Sequence, residues 1–583
     1  MTRSRKLLSS DSRREEQSPS APGTRQRSFL PACATTGEKD SSSKCNCENT
    51  SNMRTSVISP RAGESSSIVR SVPSSMVPGL PRPPIVNPFQ RSPENNFASH
   101  SSRRAESNLA SVLATHPDVR LLPAKLRAAL HAIVDFIYSL PPAPSHGFHN
   151  DVILAPSGGA VRCYDHSKEP GGEPGPCAPD PDEEDHSGHK QLSRWNFDLD
   201  KFKALILANM EQRSPGAAYS LVISQYGHYQ RSAAVGYARA HDREMTIQQP
   251  MALASLSKAI TGAAVLRALE SNTGEWDPTP TLHGSIAPYF PSWWNRNSYF
   301  SMLTFENCLQ YATGISTEGG HDWSLASTMS WVTTGSYTKD GKVYKIEQEN
   351  IGKFQYNNAS FAWFRIAIFY LTAKKEMRDN MDLLYVLNSK LWHLAVSSYY
   401  RDYIKWTVFP QGLQGDVNPH FGKWTAENET LYYHYPNYSW YPGWAMSSSL
   451  LDAGGEGWVV SAYDLAWFFA ELIYGKILTD PMRAKLFNYP EPATGKSYVF
   501  GYGQTTLDGY STYDFFSKGG ALKGIATEFY HLPLNGVQVT LLSNYDLKNN
   551  YDYPLFPGSG LIKTSILEAY IKSWYWGIMP ATP

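Results

Sequence analysis

Strand-like segments stand at both ends of the globular stretch of this chain, and helical segments fill its middle. Ala217–Ser224 follows Pro215-Gly216 and reads as a strand, and after the turn at Gly227 the chain returns as a second strand over His228–Tyr237. Far downstream, Ile525–Leu532 and Val537–Ser543 are again strand-like, separated by the turn signal Pro533-Leu534-Asn535-Gly536. Runs so distant in sequence can pair only if the intervening chain leaves the sheet. The pattern therefore predicts an α+β architecture: one antiparallel sheet, flanked by terminal helices, with a large and mostly helical subdomain. The terminal helices are expected over Phe197–Met210 and Leu561–Trp574. The second carries Leu561, Ile562, Ile566, Leu567, Tyr570, Ile571 and Trp574 on one stripe. Within the middle, Leu303–Gln310 reads as a short helix ending at Gly314, and Ala359–Ala373 as a strongly apolar one. Residues 431–446 hold Tyr432, Tyr433, His434, Tyr435, Tyr438, Trp440, Tyr441 and Trp444. These rings either wall a substrate cleft or pack a loop-rich region.

The compact domain is expected over 193–583. Ahead of it, residues 1–103 are rich in Ser, Arg, Pro and Asn and bury too little apolar surface to order, so a disordered tail is expected. Residues 104–140 differ: Leu109, Val112, Leu113, Leu121, Leu122, Leu126, Leu130, Ile133, Val134, Phe136, Ile137 and Leu140 recur at roughly helical spacing, which suits a helix docked on the main domain. Residues 141–192 read as a Gly/Pro-rich, acidic linker.

Lys+Arg and Asp+Glu both number 53, so no net charge draws the chain toward nucleic acid or an anionic membrane. No apolar run reaches the roughly 20 residues of a membrane span. The N-terminus, Met-Thr-Arg-Ser-Arg-Lys-Leu-Leu, lacks the apolar core of a secretory signal, which points to the cytoplasm or an organelle rather than secretion. The sequons at Asn428 and Asn437 then read as chance matches. Of the six cysteines only Cys308 lies in the compact domain, so no disulfide is expected within it. Cys45-Asn46-Cys47 lacks zinc-site spacing, and neither a metal nor a cofactor is implied.

The chemistry concentrates in three places. Ser255 precedes Lys258 by three residues, and a helical run, Ala263–Glu270, follows. On a helix starting near Ser255 the two side chains share one face, a turn apart, where an amine can activate a serine nucleophile. Ser257, with no lysine three residues on, is the wrong candidate. Tyr356-Asn357-Asn358 stands directly before the apolar helix at 359. A phenol near the serine can move a proton, and the Asn358 amide can bond both Lys258 and a substrate amide. Lys518-Gly519-Gly520-Ala521 precedes the strand at 525; glycines on a strand edge let a substrate backbone approach, and Lys518 adds positive charge. Each motif alone has an ordinary reading: an N-capped helix, a cap at Asn358, a glycine-rich surface turn.

Taken in order, Ser-x-x-Lys, Tyr-x-Asn and Lys-Gly-Gly resemble the set of the serine β-lactamase and penicillin-binding-protein superfamily, in the branch that includes class C β-lactamases, D-Ala-D-Ala carboxypeptidases, esterases and D-aminopeptidases. Pro215–Ile223 is similar to that family's first strand, Leu303–Ile315 to its Thr-x-x-x-Leu-Leu-x-His-x-Ser-Gly segment, and Ala453–Phe468 to its Gly-Gly loop and following helix. The resemblance covers about 195–578. It implies a serine hydrolase forming an acyl-enzyme on a small-molecule or short-peptide ester or amide. Ser255 would be the nucleophile, with Lys258 and Tyr356 sharing proton transfers. Asn358 would orient Lys258 and the substrate, and Lys518 would assist electrostatically. Backbone N–H groups of Ser255 and Ala521 would form the oxyanion hole, with Gly519 and Gly520 beside them. Two departures stand out. Tyr311 replaces the usual histidine, and Gly519 stands where threonine or serine often bonds a substrate carboxylate. The second weakens the case for β-lactam hydrolysis more than for hydrolysis itself. The alternative is a non-catalytic scaffold that keeps the fold for binding. Oligomeric state is left open.

Overall fold

The computed structural model describes residues 108–143, 194–240, 242–317, 324–413, 415–417, 430–433, 443, 450–487, 499–507, 511–545, 547 and 559–577. Most of the 431–446 aromatic stretch, the sequons and the five upstream cysteines lie outside them. The chain enters through α1 (Asn108–Thr115), α2 (Pro117–Leu121) and α3 (Ala124–Ser139), then α4 (Leu199–Arg213), β1 (Tyr219–Gln225) and β2 (His228–Val235). A short strand, β3 (Pro250–Ala252), leads into α5 (Ser257–Ser271). The helical middle contains α6 (Ala359–Thr372), α7 (Lys375–Leu387) and α8 (Ser389–Tyr403). It is followed by β4 (Gly415–Val417), β5 (Trp458–Ser461) and α9 (Ala462–Ile473). The C-terminal part adds β6 (Gly501–Leu507), β7 (Ser511–Leu522), β8 (Ile525–Leu532), β9 (Val537–Ser543) and α10 (Ser559–Ser573).

The main sheet is antiparallel with order β6-β7-β8-β9-β1-β2, so strands from both ends of the domain meet at the β9–β1 seam. Val539 lies opposite Ile223 and Leu541 opposite Leu221. The last terminal helix, α10, packs with α4: Asn209 donates to the Ser565 carbonyl, and Arg213 pairs with Glu568 at 2.8 Å. On the opposite face, Phe469 of α9 stacks on Phe529 of β8 with ring centroids 3.7 Å apart. β8 and β9 are buried at every residue, although they carry polar residues such as Thr527, Glu528, Gln538 and Thr540. β2, at the edge, is half-exposed and correspondingly polar. Local chemistry sets the helix starts. Asp198 accepts from the Lys201 N–H at 2.9 Å to begin α4, and Ser461 accepts from Asp464 at 3.0 Å to begin α9.

The α+β architecture expected from the sequence is the one observed, and one element is sharper than expected. Phe516–Leu522 is the end of a twelve-residue strand, not a surface turn. Gly519 and Gly520 therefore lie in a ladder opposite Glu528 and Thr527. Of the aromatic stretch, Tyr432 and Tyr433 are described, and both are packing residues. Their hydroxyls accept from Ala252 and Ala240 backbone N–H groups at 2.8 and 2.6 Å.

Helices α1–α3 pack against the helical middle and share its core. The Leu109 N–H donates to Asp402 at 3.1 Å, and the Tyr138 ring meets Trp406 edge-on at 5.1 Å. Asp402 is fully buried and paired with Arg401 at 2.7 Å, and Arg401 also grips Asp416 at 2.5 Å. The latch that holds α1 is thus a carboxylate already neutralised by a guanidinium.

Two histidines sit neutral inside this core. His531, on β8, packs among Phe516, Phe487 and Tyr474, and burial lowers its pKa to about 3. His393, on α8, is lowered to about 2 by burial and by the charge of Arg365. An unfolded imidazole titrates near 6.5. Below that pH the unfolded chain binds protons that the fold refuses, so stability falls as pH drops from about 6.5 toward 3, by about 1.4 kcal/mol per pH unit for each histidine. The melting temperature is expected to fall steeply between pH 6.5 and 4, and less steeply in His531→Phe. A pH series of thermal melts checks this; equal slopes for the two proteins would contradict it.

Candidate active site

Ser255 sits in a single 3-10 turn, Ala254–Leu256, that runs directly into α5. Ala254 holds a left-handed conformation, φ +49°, which an alanine adopts only under constraint. The constraint is visible on both sides. The Leu253 N–H donates to the Trp458 carbonyl at 2.9 Å, and the Trp458 N–H donates to Ser257 Oγ at 3.2 Å. Ser257 is thus fully buried in a structural bond, as befits the rejected candidate, whereas Ser255 is half-exposed.

One turn on, Lys258 is 1% exposed. Its Nζ donates to Ser255 Oγ at 3.0 Å and to the Gly455 carbonyl at 2.7 Å. Tyr356 Oη lies 2.8 Å from the same Ser255 Oγ, and its ring centroid lies 5.3 Å from Lys258 Nζ. The nucleophile candidate is therefore in contact with an amine and a phenol at once.

The segment carrying Tyr356 is held by backbone bonds to the turn at 311–314. Gln355 N–H donates to the Tyr311 carbonyl at 2.8 Å, and Gly352 N–H to Ala312 at 2.9 Å. These bonds set the Tyr311 ring beside Tyr356, centroids 4.9 Å apart, and beside Phe361 at 5.0 Å. Lys518 donates to the Tyr311 hydroxyl, and its ammonium lies 4.8 Å from the Tyr311 ring centroid and 5.8 Å from that of Phe361. Burial, with a smaller contribution from Tyr356, pushes the Tyr311 pKa well above the usual phenol value, so Tyr311 keeps its proton.

Asn358 is half-buried at the start of α6, and its side chain makes no capping bond. The cap comes from Asn357, whose Oδ1 accepts from the Ser360 N–H at 3.0 Å. The structure brings Asn358 to the site's edge, beside Gly455, but forms no Asn358–Lys258 bond; the Gly455 carbonyl takes that place. The Asn358 Oδ1 atom is buried without a hydrogen-bond partner. The Gly455 carbonyl and the Tyr311 hydroxyl are the site contacts that the motifs did not reveal. Their signals were the Gly454-Gly455 loop and the tyrosine in the position of a histidine.

β7 closes the other side. Its pairing with β6 begins at Ser517 opposite Gly501, so residues 518–522 have β8 as their ladder partner and run past the Ser255 turn. A Cβ at Gly520 would lie 2.3 Å from the Leu253 carbonyl oxygen and 2.7 Å from the Leu256 nitrogen. Only glycine permits this approach. A Cβ at Gly519 would lie 2.4 Å from Glu528 Oε1. Ala521 follows, half-buried and opposite Ala526. Among the described residues, no group of three or more His, Cys, Asp or Glu side chains is placed to hold a metal ion, and no helix is long and apolar enough to cross a membrane.

The family model for beta-lactamases matches residues 202–555. No curated protein matches the chain. Among solved structures, the chain is similar to a class C beta-lactamase from Rhodobacter sphaeroides, at 14% identity and a TM-score of 0.44, covering 64% of this chain and 99% of that one. It is also similar to a D-amino acid amidase from Ochrobactrum anthropi SV3 complexed with L-phenylalanine amide, at 16% identity and a TM-score of 0.45, covering 64% and 98%. A third is a beta-lactamase/D-alanine carboxypeptidase from Pseudomonas syringae, at 14% identity and a TM-score of 0.41, covering 63% and 98%.

The approach at Gly520 yields a test. Gly520→Ala must move β7 off the Ser255 turn, because two of the three atoms it meets, the Leu253 oxygen and the Leu256 nitrogen, are backbone and cannot rotate away. A displacement near 1 Å is expected to cost about 10²-fold in any reaction at Ser255, with the circular-dichroism spectrum retained. Labelling by a serine-directed fluorophosphonate at the wild-type rate would contradict the argument.

Proposed function

We propose that this chain, which belongs to the beta-lactamase family, is a serine hydrolase that works through an acyl-enzyme at Ser255. One observation carries the reading: Ser255 Oγ is held at 3.0 Å from Lys258 Nζ and 2.8 Å from Tyr356 Oη. A serine hydroxyl in hydrogen-bond contact with both an amine and a phenol is the arrangement that nucleophilic catalysis needs. The substrate is a small-molecule or short-peptide ester or amide. Ser255 Oγ attacks its carbonyl carbon, and the serine proton passes to the Lys258–Tyr356 pair. The tetrahedral oxyanion rests on the N–H groups of Ser255 and Ala521, one from the nucleophile turn and one from the adjoining strand. The same pair returns the proton to the departing alcohol or amine as the C–O or C–N bond breaks. Water then cleaves the ester at Ser255, with the pair acting as base.

Lys258 and Tyr356 contact the same oxygen, so losing either is expected to slow acylation. Fluorophosphonate is expected to label the wild type and not Ser255→Ala. Lys258→Ala and Tyr356→Phe should each acylate with a p-nitrophenyl ester about 10²–10⁴-fold more slowly, followed as the nitrophenolate burst. A wild type that never labels would leave the non-catalytic scaffold standing. Unchanged rates in either variant would remove that residue's role.

A further inference from the structure

We infer that Thr261 and Tyr400 are positioning residues for Lys258: they fix the turn whose carbonyl holds the lysine beside Ser255. The inference rests on the hydrolase reading above and adds what keeps its proton-transfer pair in place.

A lysine side chain is long and flexible, so its position is set by what its end is bonded to. Lys258 Nζ has Ser255 Oγ at 3.0 Å and the Gly455 carbonyl at 2.7 Å. The first takes part in the reaction, so the second is the anchor. Gly454 and Gly455 form the turn between Ala453 and Glu456. Gly454 has φ +116°, and a Cβ there would lie 2.6 Å from the Phe361 carbonyl oxygen, so the turn is wedged against α6. On the other side α5 grips it. Thr261 is three residues past Lys258, on the same face of the helix, and its hydroxyl donates to the Gly454 carbonyl at 2.6 Å. One helix thus holds two consecutive carbonyls of one turn.

The Thr261 hydroxyl is itself oriented. It lies 2.7 Å from Tyr400 Oη, on α8, and Tyr400 Oη accepts from Trp458 Nε1 at 3.2 Å. An indole N–H only donates, a carbonyl only accepts, and each hydroxyl between them has a single hydrogen. Every group is satisfied in one direction alone: Trp458 to Tyr400, Tyr400 to Thr261, Thr261 to Gly454. Reversing the middle bond would leave the Tyr400 proton without an acceptor and set two bare oxygens against each other at Gly454. Burial pushes the Tyr400 pKa up to about 12, so the phenol keeps the proton it donates. Thr261, Tyr400 and Trp458 are fully buried, so water does not compete for these bonds. Trp458 also holds the nucleophile turn, through its backbone bonds to Leu253 and Ser257. The residue that fixes Ser255 therefore starts the chain that ends at the anchor of Lys258. That chain stops at a carbonyl and delivers no proton; its work is placement.

The test follows the nitrophenolate burst from a p-nitrophenyl ester, per active site counted by fluorophosphonate titration, over a range of ester concentrations. Thr261→Val removes the hydroxyl and keeps the side chain's shape. Its burst rate constant is expected to fall about ten-fold or more, with the half-saturating ester concentration unchanged, because Lys258 is displaced and no substrate contact is lost. Thr261→Ser should restore a rate near the wild type's. Tyr400→Phe leaves the Thr261–Gly454 bond in place, so its loss should be smaller; it carries the test where Thr261→Val does not fold. Thr372→Val is the control. It removes an equally buried hydroxyl, 2.8 Å from the neighbouring Tyr399 and at the opposite end of α6 from Asn358. It should lower the melting temperature without slowing the burst. In a Lys258→Ala background, Thr261→Val should cost nothing further, because its effect runs through the lysine. Wild-type burst rates in Thr261→Val, or in Tyr400→Phe where the first does not fold, overturn the inference and leave the hydrolase reading intact. So does equal slowing by Thr372→Val, or a full further loss in the Lys258→Ala background. A wild type that neither labels nor hydrolyses the ester overturns the hydrolase reading and this inference together.

Discussion

The site depends on one close approach: the backbone of β7 at Gly520 lying against the turn Leu253–Leu256. The Thr527 hydroxyl, on β8, spans the contact at 2.8 Å to the Leu253 carbonyl and 3.2 Å to the Gly520 carbonyl. Trp458 anchors the other side of the turn. Ala254 is held left-handed between these fixed points, at a cost on the order of 1–3 kcal/mol. That cost is borne because the sheet, β5 and α5 over-determine the turn. The result is a serine fixed between the first turn of a helix and the edge of a strand.

Apart from Lys258, one turn on in the adjoining helix, the groups at the site come from distant parts of the chain. Lys258 comes from α5, Tyr356 from the approach to α6, the Gly455 carbonyl from the approach to β5, and Lys518 from β7. Each is carried by an element buried for its own reasons. α6, for example, is apolar and buried along its whole length, which fixes where Tyr356 and Asn358 must emerge. Helices α1–α3 lie ahead of the family match at 202–555, yet they share the core of the helical middle. Through Asp402 and Arg401 they brace α8, which packs on α6. The added helices thus thicken the wall behind the site without entering it.

Those parts of the fold and site that rest on side-chain type and spacing were legible in the sequence. The Ser255–Lys258 interval puts both groups on one helical face, and the strands at β1, β8 and β9 announce themselves by composition. What escaped were contacts made by backbone and by register. Gly455 offers a carbonyl, which no side-chain pattern records, and it displaced Asn358 as the partner of Lys258. Glu528 meets Gly519 only because β7 and β8 pair in one register and not in another. The strand itself was half hidden, since two glycines in the Lys-Gly-Gly run weaken every strand signal around them. Tyr311 stood out as a departure from the family pattern, but its role needed the fold to bring Lys518 to it.

Tyr311 also divides the work between the two lysines. The site holds two phenols and two amines, and the geometry sorts them into pairs: Lys258 with Tyr356 at Ser255, Lys518 with Tyr311 one ring away. A phenol buried beside another phenol resists ionising, so Tyr311 accepts a hydrogen bond from Lys518 while keeping its own proton. On the reading proposed above, the inner pair trades the serine proton while Lys518 stays bound to the Tyr311 hydroxyl. On the same reading, Lys518 acts on the inner pair through its charge rather than by passing protons to it, because the Tyr311 ring stands between them. Gly519, the next residue on β7, lies opposite Glu528 in the ladder and takes no part in either pair.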